Sequence, residues 1–282
     1  MEQQLSAKRL LQTIGWHTLS HHGRAWALLA GWWLIIVSGA YAQESVDANG
    51  VESSSAAVED VTADETSKPA APNLPEPKGA QRLSPEYDVW LDAKRGVVIV
   101  DGLISLREGM LEMFACTRNT KEHESIVSAN TKAFLVHAAL LRLGAEPGTP
   151  VQFVPEYKPP TGTEIEITVE WLDEAGKKKT ARAQDWVQSM RTNKAMPHPF
   201  VFAGSRFWTD PETGKQYYQA EGGDFICVSN FSTAMLDIPV PSSQTNDELA
   251  FQAYTERIPP LGAAVRLILK PKLNDGGEKS EN

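Results

Sequence analysis

Short stretches of large apolar residues, several of them alternating with polar ones, fill most of the chain after residue 96. In Glu164–Trp171 every second residue is apolar, the pattern of a strand with one face buried. Sequences rich in Asp, Gly, Asn and Pro follow such runs and predict hairpin connections. Strands are predicted at 97–100, 111–116, 151–154, 164–171 and 264–270, with turns at 173–176, 191–194 and 210–215.

One segment has helical character instead. Asn130 is a suitable amino-terminal cap, residues 131–143 are apolar nearly all round, and Gly144 followed by Pro147 ends the run. Such a helix lies against a sheet with most of its surface covered, and His137 is expected to face inward. The prediction is an α+β domain with a mainly antiparallel, twisted sheet and one dominant apolar helix at about 131–143. Strands and long helices do not alternate, which argues against a doubly wound nucleotide-binding fold.

The amino-terminal residues 1–42 have the pattern of a secretory signal peptide. Lys8, Arg9 and Arg24 precede the apolar run Ala25–Val37, and small residues up to Ala42 provide a cleavage site. An uncleaved signal anchor is the alternative, in which residues 25–42 would hold the protein in the inner membrane. Either way, the domain is expected in the periplasm or outside the cell.

The composition divides the remainder into three parts. Residues 43–85 are rich in Ser, Ala, Glu, Asp and Pro and predict a disordered acidic linker. Residues 86–272 are sufficient for a single globular domain, and residues 273–282 predict a disordered tail. The chain carries 27 basic and 36 acidic residues, a net charge of −9. This balance excludes the positive surface that nucleic-acid binding needs.

Several blocks resemble the YdjY-domain family of exported bacterial proteins, the planctomycete-type members above all. The resemblance is most specific at Thr120-Lys121-Glu122-His123-Glu124-Ser125. It extends to Leu111–Cys116, the helix with His137, Ala183–Val187, Phe202–Ser205, Ile226–Phe231, Ala234–Asp237 and Thr255–Pro260. It implies a shared fold and no particular chemistry.

A metal site is one hypothesis for the Thr120–Ser125 block. His123 and Glu124 follow a predicted strand, and His137 lies on the helix that comes next, so the three side chains could meet, with Cys116 as a fourth candidate. A His/Glu/His set is typical of catalytic zinc, although the spacing matches no compact zinc motif. No cofactor other than a divalent metal is indicated, and two cysteines are too few for the usual iron–sulfur cluster.

The alternative for the same block is structural. Lys121 and Glu124 would pair, Ser125 would bond a free amide of the backbone, and His123 would bond a carbonyl. The cysteines also leave two possibilities open. In an oxidising compartment Cys116 and Cys227 would form a disulfide, and otherwise both would be buried thiols.

Aromatic residues provide the other candidate site. Phe207-Trp208 and Tyr217-Tyr218 flank one predicted turn and would form an exposed aromatic face. No nucleophile elbow or phosphate-binding loop is present in the sequence. The sequence therefore favours a module that binds an envelope protein or a small ligand over an enzyme, with a metal-dependent protein as the rival. The candidate binding residues are Thr120, Lys121, His123, Glu124, Ser125, Trp208 and Tyr217.

Overall fold

A computed structural model describes residues 74–242 and 250–273 of the chain. The predicted signal sequence, the predicted linker up to residue 73 and the tail from residue 274 lie outside these residues. Within the described ranges, no helix has the length and apolarity needed to cross a membrane.

Most of the regular elements are strands. The first eight are β1 Gln81–Arg82, β2 Val89–Asp92, β3 Val97–Ile104, β4 Met110–Leu111, β5 Met113–Thr117, β6 Ser125–Ala129, β7 Glu164–Leu172 and β8 Lys178–Arg182. The others are β9 Val187–Ser189, β10 Phe200–Phe202, β11 Phe207–Thr209, β12 Gln216–Tyr218, β13 Ile226–Cys227, β14 Leu236–Asp237, β15 Phe251–Ala253 and β16 Ala264–Pro271. The α-helix α1 covers Ala133–Arg142, and 3₁₀ turns occur at Glu122–Glu124, Ala183–Trp186, Gln219–Gly222 and Thr255–Arg257.

Eight strands close into a barrel in the order β3-β16-β7-β10-β14-β13-β5-β6, with β6 pairing back onto β3. All neighbours are antiparallel except β5–β6 and β13–β14, which are parallel. The predicted α+β class with a mainly antiparallel sheet and one dominant helix is therefore confirmed. Closure leaves the barrel strands without the exposed edges that promote association, and β8 extends the sheet outside it with an exposed, lysine-rich strand.

The barrel interior follows from the alternation in the sequence. Ile165, Ile167 and Val169 of β7 are buried, whereas the intervening residues are partly or fully exposed. Large side chains from other elements complete this core, namely Phe114, Trp186, Phe200 and Phe202. Burial of such chains, worth about 1.5–3 kcal/mol each, accounts for the hydrophobic part of the stability.

Two expectations about local structure are wrong. Residues 151–154 form no strand, only a single bridge between Gln152 and Lys158, because Pro150 and Pro155 have no backbone N–H to donate.

Asn130 does not cap α1. The cap position is Lys132, the Asn130 amide donates to Asp88 at 2.5 Å, and Glu221 accepts from the backbone N–H of Phe134 at 2.9 Å.

Two small sheets lie outside the barrel. The strands β4, β15 and β9 form one, with β15 in the middle, and β11 and β12 form a separate hairpin. The segment 181–190 contains the end of β8, a 3₁₀ turn and β9. At the amino-terminal side, Gln81 and Arg82 pair with Leu91 and Trp90. The domain therefore includes residues 74–85, which composition alone placed in the linker.

Closure of the barrel depends on Gly102, and its substitution tests this. Gly102 of β3 is opposite Ala129 of β6 and Val265 of β16, and a Cβ added there would lie 2.6 Å from the carbonyl oxygen of Ser128. We expect Gly102→Ala to lower the free energy of unfolding by about 1–3 kcal/mol, since overpacking forces backbone shifts.

Gly222→Ala is the matched control, because a Cβ at Gly222 meets no atom within 4 Å. Urea unfolding of both variants, followed by circular dichroism, measures the difference. Equal stability of the two variants would show that β6 accommodates a methyl group at the seam.

Candidate functional site

The Thr120–Ser125 turn connects β5 to β6 and is fixed largely by its own hydrogen bonds. The Thr120 hydroxyl donates to the carbonyl of Thr117 at 2.5 Å, and the Ser125 hydroxyl donates to the carbonyl of Lys121 at 2.7 Å. Glu122 accepts from Ser128 at 3.1 Å and from the amide of Asn119. The hydroxyls thus satisfy carbonyls within and beside the turn, which gives these residues a local structural role.

Lys121 links this turn to a distant segment. Its Nζ lies 2.9 Å from Asp224 Oδ1 and 4.7 Å from the centre of the Phe231 ring. The other Asp224 oxygen accepts a hydrogen bond from the Thr233 hydroxyl. The partner expected from the sequence was Glu124, so the ion pair forms with a residue that the sequence pattern did not indicate.

Carboxyl groups surround the ammonium group. Burial, followed by the neighbouring Glu124 carboxyl, raises the pKa of Glu112, and Glu112 Oε2 lies 3.9 Å from Lys121 Nζ. His123 Nε2 lies 3.5 Å from Glu124 Oε1, with the His123 side chain three-quarters exposed. The cluster is therefore a charged surface whose centre is occupied by the Lys121 ammonium group.

The predicted metal set does not assemble. His137 faces inward, as expected, but its Nδ1 lies 2.9 Å from the Tyr218 hydroxyl and its ring packs edge-on against Phe202. His123 points into solvent instead. In residues 74–242 and 250–273, no group of three or more His, Cys, Asp or Glu is placed to hold a metal ion. The hypothesis that His123, Glu124, His137 and Cys116 converge is wrong because α1 directs His137 towards Phe202 and Tyr218.

The cysteines are free and buried. Cys227 is opposite Met113 in the β13–β5 pairing, so it is offset from Cys116 by three residues along β5. At about 3.4 Å per residue that offset is near 10 Å, beyond the Cα separation that a disulfide allows. Burial raises the pKa of both thiols, that of Cys227 the more strongly. The alternative of two buried thiols holds, and the disulfide prediction is wrong.

The hairpin β11–β12 exposes two of the four aromatic side chains that were predicted to form one exposed face, and the other two lie on its opposite face. Trp208 and Tyr217 are directly opposite each other with ring centres 5.7 Å apart, and they are 48% and 42% exposed. Phe207 and Tyr218 lie on the other face, with their ring centres 5.0 Å apart. Because side chains alternate along a strand, each strand contributes one aromatic residue to an exposed pair and one to an anchor pair. Trp208 and Tyr217 form the exposed pair, and Phe207 and Tyr218 form the anchor pair.

The anchor pair fixes the hairpin to the domain. Tyr218 is buried, and its hydroxyl bonds to the carbonyl of Gly204 at 3.1 Å and to His137 Nδ1 at 2.9 Å. Burial raises the pKa of Tyr218 well above its ordinary value. The hairpin is consequently held by a side chain from α1 and by the loop that precedes β11.

The connecting turn is also well defined. Asp210 accepts hydrogen bonds from the backbone of Glu212 at 2.9 Å and from the Thr213 hydroxyl at 2.8 Å, and these bonds lower the pKa of Asp210. Gly214 has φ 67°, a left-handed conformation suited to glycine. Lys215 Nζ lies 5.0 Å from the centre of the Tyr217 ring. The turn between the two exposed aromatics is therefore held by hydrogen bonds to the Asp210 side chain.

A second polar cluster was missed by sequence reasoning. The guanidinium groups of Arg82 and Arg266 both lie near the ring of Trp90 in β2, at 4.9 and 5.7 Å from its centre. Arg266 makes two 2.7 Å bonds to Asp101. Burial raises the pKa of Asp101 in spite of this pair. Opposite charges inside the apolar strands β3 and β16 were the signal that could have revealed it.

Comparison with known proteins gives a family and no closer relative. The family model for the YdjY domain matches residues 89–270. Neither the curated proteins nor the solved structures contain a match. The matched range includes the barrel strands up to but not including the last residue of β16, both cysteines, the Thr120–Ser125 turn and the aromatic hairpin.

The buried histidine makes stability depend on pH. Burial lowers the pKa of His137 from 6.5 to about 4, so between these values the unfolded chain binds a proton that the folded chain excludes. Stability is then lost as pH falls through this window. A difference of this size corresponds to about 3 kcal/mol.

We expect His137→Gln, which keeps a polar partner for Tyr218, to lose about 3 kcal/mol less than the wild type between pH 6.5 and 4, because glutamine does not titrate. Urea unfolding at the two pH values measures this. His123→Gln, at an exposed position, is the control and should retain the wild-type dependence. An unchanged pH dependence in His137→Gln would show that His137 is accessible to protons in the folded domain.

Proposed function

The chain belongs to the YdjY domain family, and we propose that it acts as an extracytoplasmic binding module that recognises an envelope protein through the aromatic hairpin. The observation that carries this proposal is the pair Trp208 and Tyr217, half exposed on a hairpin outside the closed barrel. The export pattern of residues 1–42 supports the location outside the cytoplasm.

The chemistry of the pair favours a protein partner. Trp and Tyr are enriched among the residues that contribute most to protein–protein affinity, where they form a central apolar contact inside a polar rim. Around Trp208 and Tyr217 the hairpin supplies such a rim, with Asp210, Glu212 and Lys215 in and beside its turn. Both signs of charge are present, which suits a specific protein surface better than a uniformly charged polymer.

The rigidity of the hairpin has an energetic consequence. Binding orders side chains and loops, which costs about 0.5–1.5 kcal/mol for each flexible side chain that is immobilised. The Asp210 hydrogen bonds and the buried Tyr218 already fix the turn and one face of the hairpin. The exposed pair therefore binds with a small additional loss of conformational entropy.

The partner can be identified and tested in two steps. A photoreactive residue at Lys215, whose side chain lies over the Tyr217 ring, is expected to crosslink a protein in intact cells, whereas the same residue at the exposed Leu261 does not crosslink it. With the purified partner, Trp208→Ala should weaken binding at least about tenfold, the effect of truncating a residue at the centre of an interface.

Leu261→Ala is the matched control, because Leu261 is 53% exposed and belongs to the loop before β16, not to the hairpin strands. Its affinity should equal that of the wild type. If Trp208→Ala and Leu261→Ala bind equally well, the hairpin is not the binding surface. If a soluble envelope polysaccharide binds through Trp208 and no protein does, the partner class is wrong.

A further inference from the structure

A cavity of about 170 Å³ lies beside the cluster at Trp90 and shares no residue with the aromatic hairpin. Its polar walls include Glu76, Arg82, Asp88, Trp90, Asp101 and Arg118. Sites for drug-sized ligands usually enclose about 300 Å³ or more. The volume here suits a smaller molecule.

Two arginines that are held by other residues lie near the Trp90 ring. Arg266 pairs with Asp101 and also donates to the carbonyl of Pro75 at 2.9 Å. Arg82 donates to Asp88 at 2.7 Å. The indole N–H of Trp90 donates to the carboxylate of Glu76 at 3.2 Å.

Glu76 completes the charge balance around the cavity. Arg82 and Arg118 line it together with Glu76, Asp88 and Asp101, and Arg266 adjoins it through its ion pair with Asp101, so three positive charges meet three negative ones. Arg118 is exposed, and within the described residues it has no ion pair or side-chain hydrogen bond. When the Glu76 carboxylate leaves its position, one positive charge remains without a negative partner, which suits one anionic group.

Glu76 shows which anionic group fits. Its carboxylate accepts from Arg82 at 3.3 Å and from the indole of Trp90, a bonding pattern that any carboxylate could adopt. The Glu76 side chain is about two-thirds exposed and belongs to the short segment before β1. Exposed ion pairs contribute little stability, so another carboxylate can displace it.

We propose that this cavity binds a small organic molecule bearing one carboxylate group, and that Glu76 occupies the carboxylate position in its absence. Arg82 and the Trp90 indole N–H bind the carboxylate, and Arg118 supplies a positive charge that no residue within 74–242 and 250–273 pairs with. The remainder of the ligand occupies the space between Trp90 and Arg118.

The test uses propionate, which reproduces the Glu76 side chain, added to the full-length chain. The indole N–H resonance of Trp90, assigned with Trp90→Phe, reports binding in NMR titrations. Glu76→Gln removes the internal competitor and should bind propionate about two- to fivefold more tightly than the wild type, the range expected for an exposed ion pair. Propionamide, which is neutral, should produce no saturable shift.

Arg118→Gln in the Glu76→Gln background should weaken propionate binding about tenfold or more, the effect of losing a charged partner. The matched control is Arg191→Gln in the same background, since Arg191 is exposed and does not line the cavity. Unchanged indole resonances of the other tryptophans establish that each variant is folded. The proposal is overturned if Glu76→Gln shows no saturable shift, if propionamide binds equally well, or if Arg118→Gln binds like Arg191→Gln.

Discussion

The pairing of β3 with both β16 and β6 is the constraint on which the rest of this structure depends. β3 pairs with β16 on one side and with β6 on the other, which closes the sheet, and Gly102 lies opposite a residue of each neighbour. The backbones approach so closely there that a side chain would meet the Ser128 carbonyl. Without this seam the sheet would be open, its apolar interior would face water, and two strands would present unpaired backbone groups.

Barrel closure also determines which loops meet. The parallel pair β5–β6 needs a crossover rather than a tight hairpin, and the compact Thr120–Ser125 turn forms the end of that connection. Because β13 pairs with β5, the loop after β12 comes close to this turn, and Lys121 reaches Asp224. The most specific block of the sequence is thus a junction between distant segments, and the aromatic hairpin projects from the adjoining part of the chain.

Buried polar groups connect the peripheral elements to the barrel. His137 and Tyr218 join α1 to the hairpin, while Arg266 and Asp101 join two central strands and provide a platform for Trp90. Breaking either arrangement by removing one partner leaves a polar group without its hydrogen bond in an apolar environment, which costs more than the bond itself contributes. The two proposed binding surfaces therefore rest on side chains that cannot be exchanged freely.

The sequence by itself determined the class of the fold, its three longest strands, the helix and the inward direction of His137, because these follow from local periodicity. It also located the turn between two aromatic pairs, but it did not distinguish the exposed Trp208 and Tyr217 from Phe207 and Tyr218 on the opposite face. Tertiary structure alone decided what those side chains meet. The offset of Cys227 from Cys116, the pairing of Lys121 with Asp224 and the meeting of Glu76 with Trp90 all depend on strand register and barrel closure. These join residues far apart in the chain, and a local pattern carries no information about register.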